Sequence, residues 1–133
     1  MKAINIQQKL SEFKKNWHPH QIAIVDDMQV LLAKIKGEFV WHAHKDEDEL
    51  FQVIKGTLEI HFRRKLSDSS EEYEETWVET VKEGELIVVP KGVEHCPKTI
   101  KDEEVHLLLF EKLSTAHTGT TVHEKTVINY PKI

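Results

Sequence analysis

The sequence is poor in several residue types, and each shortage excludes something. It has one cysteine, Cys96, so no intrachain disulfide can form, and a reducing, cytoplasmic setting is expected. It has two arginines, Arg63 and Arg64, too few for a typical phosphate clamp. Its 18 basic residues are outnumbered by 23 acidic ones, a net charge of −5. With no basic field, neither nucleic acid nor an anionic membrane is an expected partner. Nowhere do about 18 apolar residues run together, so no membrane-spanning helix is expected. The opening MKAINIQQKLSEF also lacks the apolar stretch of a secretory signal.

Histidine, by contrast, is plentiful. Nine are present, several times the usual share for this length, and they point to metal or proton chemistry. Hydrophobic residues make up 39% and charged residues 31% of the 133 residues, a globular composition. That length suits one domain with a real core and is too short for two, so a single domain over 1–133 is expected.

Near the N-terminus Asn5 is positioned to cap a short helix with Leu10, Phe13 and Trp17 along one side, ended by Pro19. From Gln21 onward, short aliphatic and β-branched runs alternate with polar residues and are broken by frequent turn signals. The pattern predicts strands at 21–25, 28–36, 39–44, 49–55, 57–64, 75–81, 85–89, 94–99 and 104–111. So many short antiparallel strands imply an all-β sandwich or barrel. The acidic run from Ser67 to Glu75 reads as the solvated tip of a long hairpin. The Thr- and His-rich tail after Lys112 either adds an edge strand near Val122 to Ile128 or wraps the barrel. Met28 to Ile35 and Val105 to Phe110 place apolar groups on both strand faces, so their outer side needs a cover. The N-terminal helix or a second subunit would supply it, and a homodimer is the favoured expectation.

The segment Trp41-His42-Ala43-His44-Lys45-Asp46-Glu47-Asp48-Glu49 concentrates the chemistry. On a strand, His42 and His44 project from one face and form a two-toothed clip for a divalent transition metal. A short turn then leads to Glu49, whose carboxylate antiparallel pairing can return to the imidazoles. His95, after the tight turn Pro90-Lys91-Gly92-Val93, is a fourth candidate. Taken alone, a His-x-His pair is more often two surface histidines. Asp46, Glu47 and Asp48 read as solvated turn residues, one of which would replace Glu49 if the register slipped. If Glu49 faces inward, period two places Phe51 and Val53 there too, giving an apolar wall beside the metal. Cys96 points away from His95 and reads as a small core or interface residue. His106 would line the barrel as a proton relay or make a structural hydrogen bond. His61 is expected on the outside, and His18, His20, His117 and His123 in solvent-exposed loops.

Two spacings carry a family resemblance. Gly37-x4-His42-x-His44-x4-Glu49-x6-Gly56 resembles the first cupin motif, and Gly84-x5-Pro90-x-Gly92-x2-His95 resembles the second. The match covers motif regions of about 37–56 and 84–99. It implies an all-β, cupin-type barrel (a jelly roll, or double-stranded β-helix) with a short N-terminal helix. It also implies a metal held by His42, His44, Glu49 and His95. The interval from Gly37 to His42 is one residue shorter than the usual form, and Thr99 stands where the second motif usually ends in Asn.

Three histidines and one carboxylate suit Fe, Mn, Ni or Zn as a divalent ion and leave positions open to water or substrate. The resemblance therefore implies a metal-dependent enzyme acting on a small organic molecule in the barrel, by oxygenase, isomerase or lyase chemistry. It needs no separate catalytic triad, and Glu49 is the available general base. A non-catalytic module that binds a small molecule or a metal is the alternative. A sugar-phosphate isomerase would need Arg63, Arg64 and Lys91 at the pocket mouth for phosphate.

Overall fold

The computed structural model describes residues 1–133. It contains α1 (Ile6–Ser11) and eight strands: β1 (His20–Val25), β2 (Met28–Ile35), β3 (Glu49–Lys55), β4 (Thr57–Lys65), β5 (Tyr73–Lys82), β6 (Leu86–Val89), β7 (Glu94–Thr99) and β8 (Val105–Lys112). They form two antiparallel sheets, ordered β1-β2-β8-β3-β6 and β5-β4-β7. Eight of the nine expected strands are present to within a residue or two. Short β-branched segments separated by turn residues leave the backbone few other ways to pair.

The two sheets bury their facing surfaces against each other. Period-two alternation sends Leu31, Ala33 and Ile35 of β2 and Leu107 and Leu109 of β8 inward, to meet Leu58, Ile60 and Phe62 of β4. Phe51 and Val53 are buried among them, as expected once Glu49 faces in. The chain passes from β3 to β4 at Gly56, where φ is +87° and a Cβ would lie 3.1 Å from Val105 Cγ2 and 3.2 Å from the Glu104 carbonyl. Only glycine suits both the conformation and the close approach. The first part of the acidic run, up to Glu72, is the turn of the β4–β5 hairpin, while Tyr73, Glu74 and Glu75 already pair with β4 as part of β5.

The N-terminal helix is shorter than expected. Asn5 caps it by accepting from the Gln8 amide at 2.9 Å, but it ends at Ser11 rather than being stopped by Pro19. Leu10 and Phe13 nonetheless pack on Leu32, with Ile22, Ile54 and Leu108, covering part of the five-stranded sheet's outer face. Trp17 leaves this line. It has φ +59°, donates its indole N–H to the Lys36 carbonyl at 2.9 Å and stacks on Phe39 at 4.7 Å.

The tail forms no edge strand at 122–128 and instead wraps the barrel. Thr118 is fully buried and hydrogen-bonds to the Thr121 carbonyl and, at 2.7 Å, to Thr126 Oγ1. Thr121 Oγ1 reaches the Trp41 carbonyl at 3.3 Å, and Lys125 Nζ reaches the Glu38 carbonyl at 2.6 Å. A Cβ on Gly119 would lie 2.1 Å from the Ala43 carbonyl oxygen, so the strap sits directly on the segment that carries His42 and His44.

Candidate metal centre

Residues 39–44 are not a regular strand, contrary to expectation. Their links to β7 and the turn before it are Thr99 N to Gly37 O (2.9 Å), Phe39 N to Pro97 O (3.0 Å), the reciprocal His42–His95 pair (3.0 and 2.9 Å) and Gly92 N to His44 O (2.7 Å). Between the second and third links one side has an extra residue, which interrupts the ladder as a bulge does. The side-chain consequence of the expected strand survives. His42 and His44 are both buried, and His95 lies opposite His42, so the three imidazoles share one interior face.

The departure at position 99 has a structural use. Thr99 Oγ1 accepts from the Gly37 amide at 2.7 Å, closing the start of the first motif onto the end of the second. Lower in the same seam, Asp48 accepts from the Lys91 amide at 2.9 Å and Glu47 from Ser114 Oγ at 3.2 Å. Asp46, Glu47 and Asp48 thus stay in the turn outside the cluster, and the register has not slipped.

Glu49 opens β3 and is buried beside the imidazoles. One ligand-type atom from each of His42, His44, Glu49 and His95 lies within 4.8 Å of the other three. Glu49 Oε2 is 3.1 Å from His44 Nε2 and 3.4 Å from His95 Nε2, yet none of these three buried atoms makes an aligned hydrogen bond. His42 Nδ1 donates to the Val40 carbonyl at 2.9 Å and His95 Nδ1 to the Val93 carbonyl at 2.8 Å. These bonds set the tautomer and leave each Nε2 with a lone pair for a cation. Converging, unpartnered, buried N and O atoms fit a divalent transition metal, because such a donor set is costly to bury with nothing to bind.

The electrostatics favour a neutral ring at His42 and a carboxylate at Glu49. Burial, then the nearby His95, pushes the His42 pKa down to about 3. Burial alone would raise the Glu49 pKa, but His44 and His95 outweigh it and hold the carboxyl below the usual range.

Glu111 was not singled out from the sequence, although it shares the inward face of β8 with Leu107 and Leu109. The β3–β8 register, Leu50 with Phe110 and Phe51 with Leu109, continues to set Glu111 opposite Glu49. Burial first, and then the Glu49 charge, raises the Glu111 pKa well above the usual range, which favours its protonated form. Gln29 donates to Glu111 Oε1 at 3.4 Å and accepts from Gln21 at 2.9 Å, extending the polar row toward the sheet edge.

The remaining histidines divide sharply. His106 faces outward and pairs with Glu104 at 2.8 Å, so it does not line the barrel and takes the structural alternative. His61 is on the outer face as expected, between Glu59 and Glu75. His123 is exposed. His20 is not in an exposed loop but buried in β1, stacked on Phe13 at 4.0 Å, and His18 beside it is half-buried. His117 is likewise drawn in by the strap, packing 5.0 Å from Phe39 and 5.9 Å from Tyr130. Burial pushes its pKa down to about 4. Buried Cys96 has its thiol pushed up to about 11 by that burial, as befits a core residue.

His42, Glu49, Phe51, Phe39, Trp17 and His117 surround part of a cavity of about 30 Å³, room for a water or two. Neither arginine is among its lining residues. Arg63 lies between Trp41 (4.5 Å) and Tyr73 (4.0 Å), and exposed Arg64 pairs with Glu74 at 2.6 Å. The structure therefore offers no phosphate clamp at this cavity.

Comparison with known proteins agrees with the geometry. A protein from Bacillus subtilis (strain 168), the uncharacterized protein YdbB, is 36% identical over 91 residues, 68% of this chain and 71% of its own. The crystal structure of a cupin-2 domain containing protein from Shewanella frigidimarina is 41% identical, with a TM-score of 0.71 over 83% of this chain and 94% of that one. Protein NMB1881 from Neisseria meningitidis is 30% identical, with a TM-score of 0.65 over 84% and 99%. Hydroquinone 1,2-dioxygenase from Sphingomonas sp. TTNP3, solved with 4-hydroxybenzoate bound, shares the fold at 20% identity, with a TM-score of 0.70 over 85% of this chain and 32% of that one. The sequence profile of the cupin domain matches residues 28–111, which hold both motifs and all four clustered side chains, and the chain belongs to the cupin domain family.

Proposed function

We propose that this chain binds one divalent transition metal through His42, His44, Glu49 and His95, and acts as a metal-dependent enzyme on a small organic molecule inside the barrel. The observation that carries the reading is the convergence of four ligand-type atoms, three of which, on His44, Glu49 and His95, are buried without hydrogen-bond partners. Fe, Mn, Ni and Zn all suit three imidazoles and a carboxylate. When bound, such an ion supplies Lewis-acid or redox chemistry at the positions that four protein ligands leave open. The protein's part is to fix the tautomers of His42 and His95 through Val40 and Val93, to hold a carboxylate at Glu49 and to limit the space beside it with aromatic walls. The fold-sharing dioxygenase makes oxygenase chemistry one candidate class, beside isomerase and lyase chemistry.

The small cavity favours a second reading, a non-catalytic module that holds a metal or a very small ligand. Elemental analysis of untagged protein purified without chelator tests both. About one equivalent of metal is expected, falling to none in His44→Ala while the barrel stays folded. Full metal content in His44→Ala would overturn the ligand assignment. Turnover in a substrate screen separates enzyme from module.

We also propose a homodimer. Val88, Leu50, Phe110 and Val30 form a row across the outer face of the five-stranded sheet, beyond the cover given by α1, and Leu86 and Val88 are exposed. Sedimentation equilibrium should give twice the chain mass, and Val88→Glu should return the monomer.

A further inference from the structure

His117 sits in the strap, outside both family motifs, and its two ring nitrogens have different fates. The Val127 amide donates to Nδ1 at 3.0 Å. A backbone N–H can only donate, so Nδ1 is the acceptor and the proton of the neutral ring lies on Nε2. Nε2 makes no hydrogen bond of good geometry in the fold, the Lys125 carbonyl being the nearby backbone acceptor, and the ring lines the cavity that also holds His42 and Glu49. The rest of the lining is hydrocarbon, proline and aromatic, and the one indole N–H there, from Trp17, is spent on the Lys36 carbonyl. Outside the four-residue cluster, His117 therefore holds the one side-chain donor on this wall without a well-formed hydrogen bond. Its placement is enforced by Phe39 and Tyr130 on its ring and by buried Thr118 next to it.

We propose that His117 is a ligand-binding residue of this cavity, its Nε2–H donating to an oxygen of a small carboxylate or similar oxyanion seated against the His42–His44–Glu49–His95 cluster. This rests on the metal reading above, since the cation supplies the positive charge that attracts such an anion. The cavity of about 30 Å³ restricts the ligand to a few heavy atoms unless the strap moves.

The test is formate binding to Co(II)-loaded protein, followed by the visible bands of the metal, in wild type, His117→Asn and His117→Gln. Asn keeps an acceptor near the Nδ1 position for Val127 and loses the distal donor; Gln places an amide donor near the Nε2 position. Formate Kd should rise about tenfold in His117→Asn, the scale of one hydrogen bond, and recover to within about threefold of wild type in His117→Gln. Co(II) stoichiometry should be unchanged in both. Equal affinity in all three proteins, no formate binding to loaded wild type, or a loss in Gln but not in Asn would overturn the proposal. Wild-type protein that takes up no Co(II) would overturn the metal reading and this inference with it. Long-range ¹H–¹⁵N NMR of metal-free wild type needs neither variant nor metal. It should show the proton of His117 on Nε2, and a proton on Nδ1 would overturn the assignment.

Discussion

Two pairs of histidines in this barrel use the same sequence offset for opposite ends. His42 and His95, inside, each hydrogen-bond a backbone carbonyl two residues earlier, at Val40 and Val93. His61 and His106, outside, each pair with a glutamate side chain two residues earlier, at Glu59 and Glu104. On a strand, residues two apart share a face, so an outward histidine finds its neighbour's carboxylate in water. The inward pair has hydrophobic neighbours and turns to the main chain instead. A carbonyl partner fixes one nitrogen as donor and leaves the other with a lone pair, as the proposed metal site requires. A carboxylate partner instead occupies the ring with a hydrogen bond at the surface, of little net worth. The difference lies in which face of the sheet the histidine occupies.

The largest test of this contrast is metal affinity. His95→Ala should weaken metal binding by more than about a hundredfold in competition against a chromophoric chelator, because loss of a ligand exceeds the 10–100-fold typical of its outer supports. His106→Ala measured in parallel should change affinity less than about twofold. Similar losses in both would erase the distinction between inner and outer rings.

An intermediate effect is expected in the pH dependence of stability without metal. The pKa of His42 is held at about 3 and that of His117 at about 4 in the fold, against 6.5 for an unperturbed ring. Between about pH 4 and 6.5 the unfolded chain binds protons that the folded one refuses. The contribution of these two rings to stability should therefore fall as pH drops through this window, by up to about 1.4 kcal/mol per pH unit for each buried ring. Glu111, its pKa raised by burial and by Glu49, contributes in the opposite sense. Urea midpoints from pH 7 to 4.5 measure the slope. In His117→Phe it should be shallower than in wild type.

The smallest effect belongs to the outer pair. His106→Ala and His61→Ala should each shift unfolding stability by no more than about 0.5 kcal/mol, as exposed histidine–glutamate pairs do. A loss of several kcal/mol from either, read from the same urea curves, would mean that the outer pairs organise the sheet.

The alternation of Leu31, Ala33 and Ile35, of Leu58, Ile60 and Phe62, and of Phe51 and Val53 exposed the strands and their inward faces. A one-residue slip would have turned each set to solvent. The two motif spacings and the cupin resemblance they carry likewise marked His42, His44, Glu49 and His95, whose ligand-type atoms lie together here. The strand expected at 39–44 failed because the extra residue near Val40 and Trp41 appears only when the segment is aligned with its partner. Glu111 was readable by period two from Leu107 and Leu109, but its neighbour Glu49 lies on another strand.

His117 was the least readable, because a tail of Thr, His and Gly has no periodicity to show which way it faces. Its burial comes from Phe39, Tyr130 and the Val127 amide, and the tail's seat on Ala43 is set by Gly119. By itself the sequence determined the strands, their buried faces and the donor set at the barrel's heart, since these follow from local pattern and residue chemistry. Only the tertiary structure decided that Glu49 and Glu111 face each other, that Thr99 closes the two motifs together and that His117 joins the cavity wall. Each of these depends on long-range pairing between segments whose local sequences carry no record of one another.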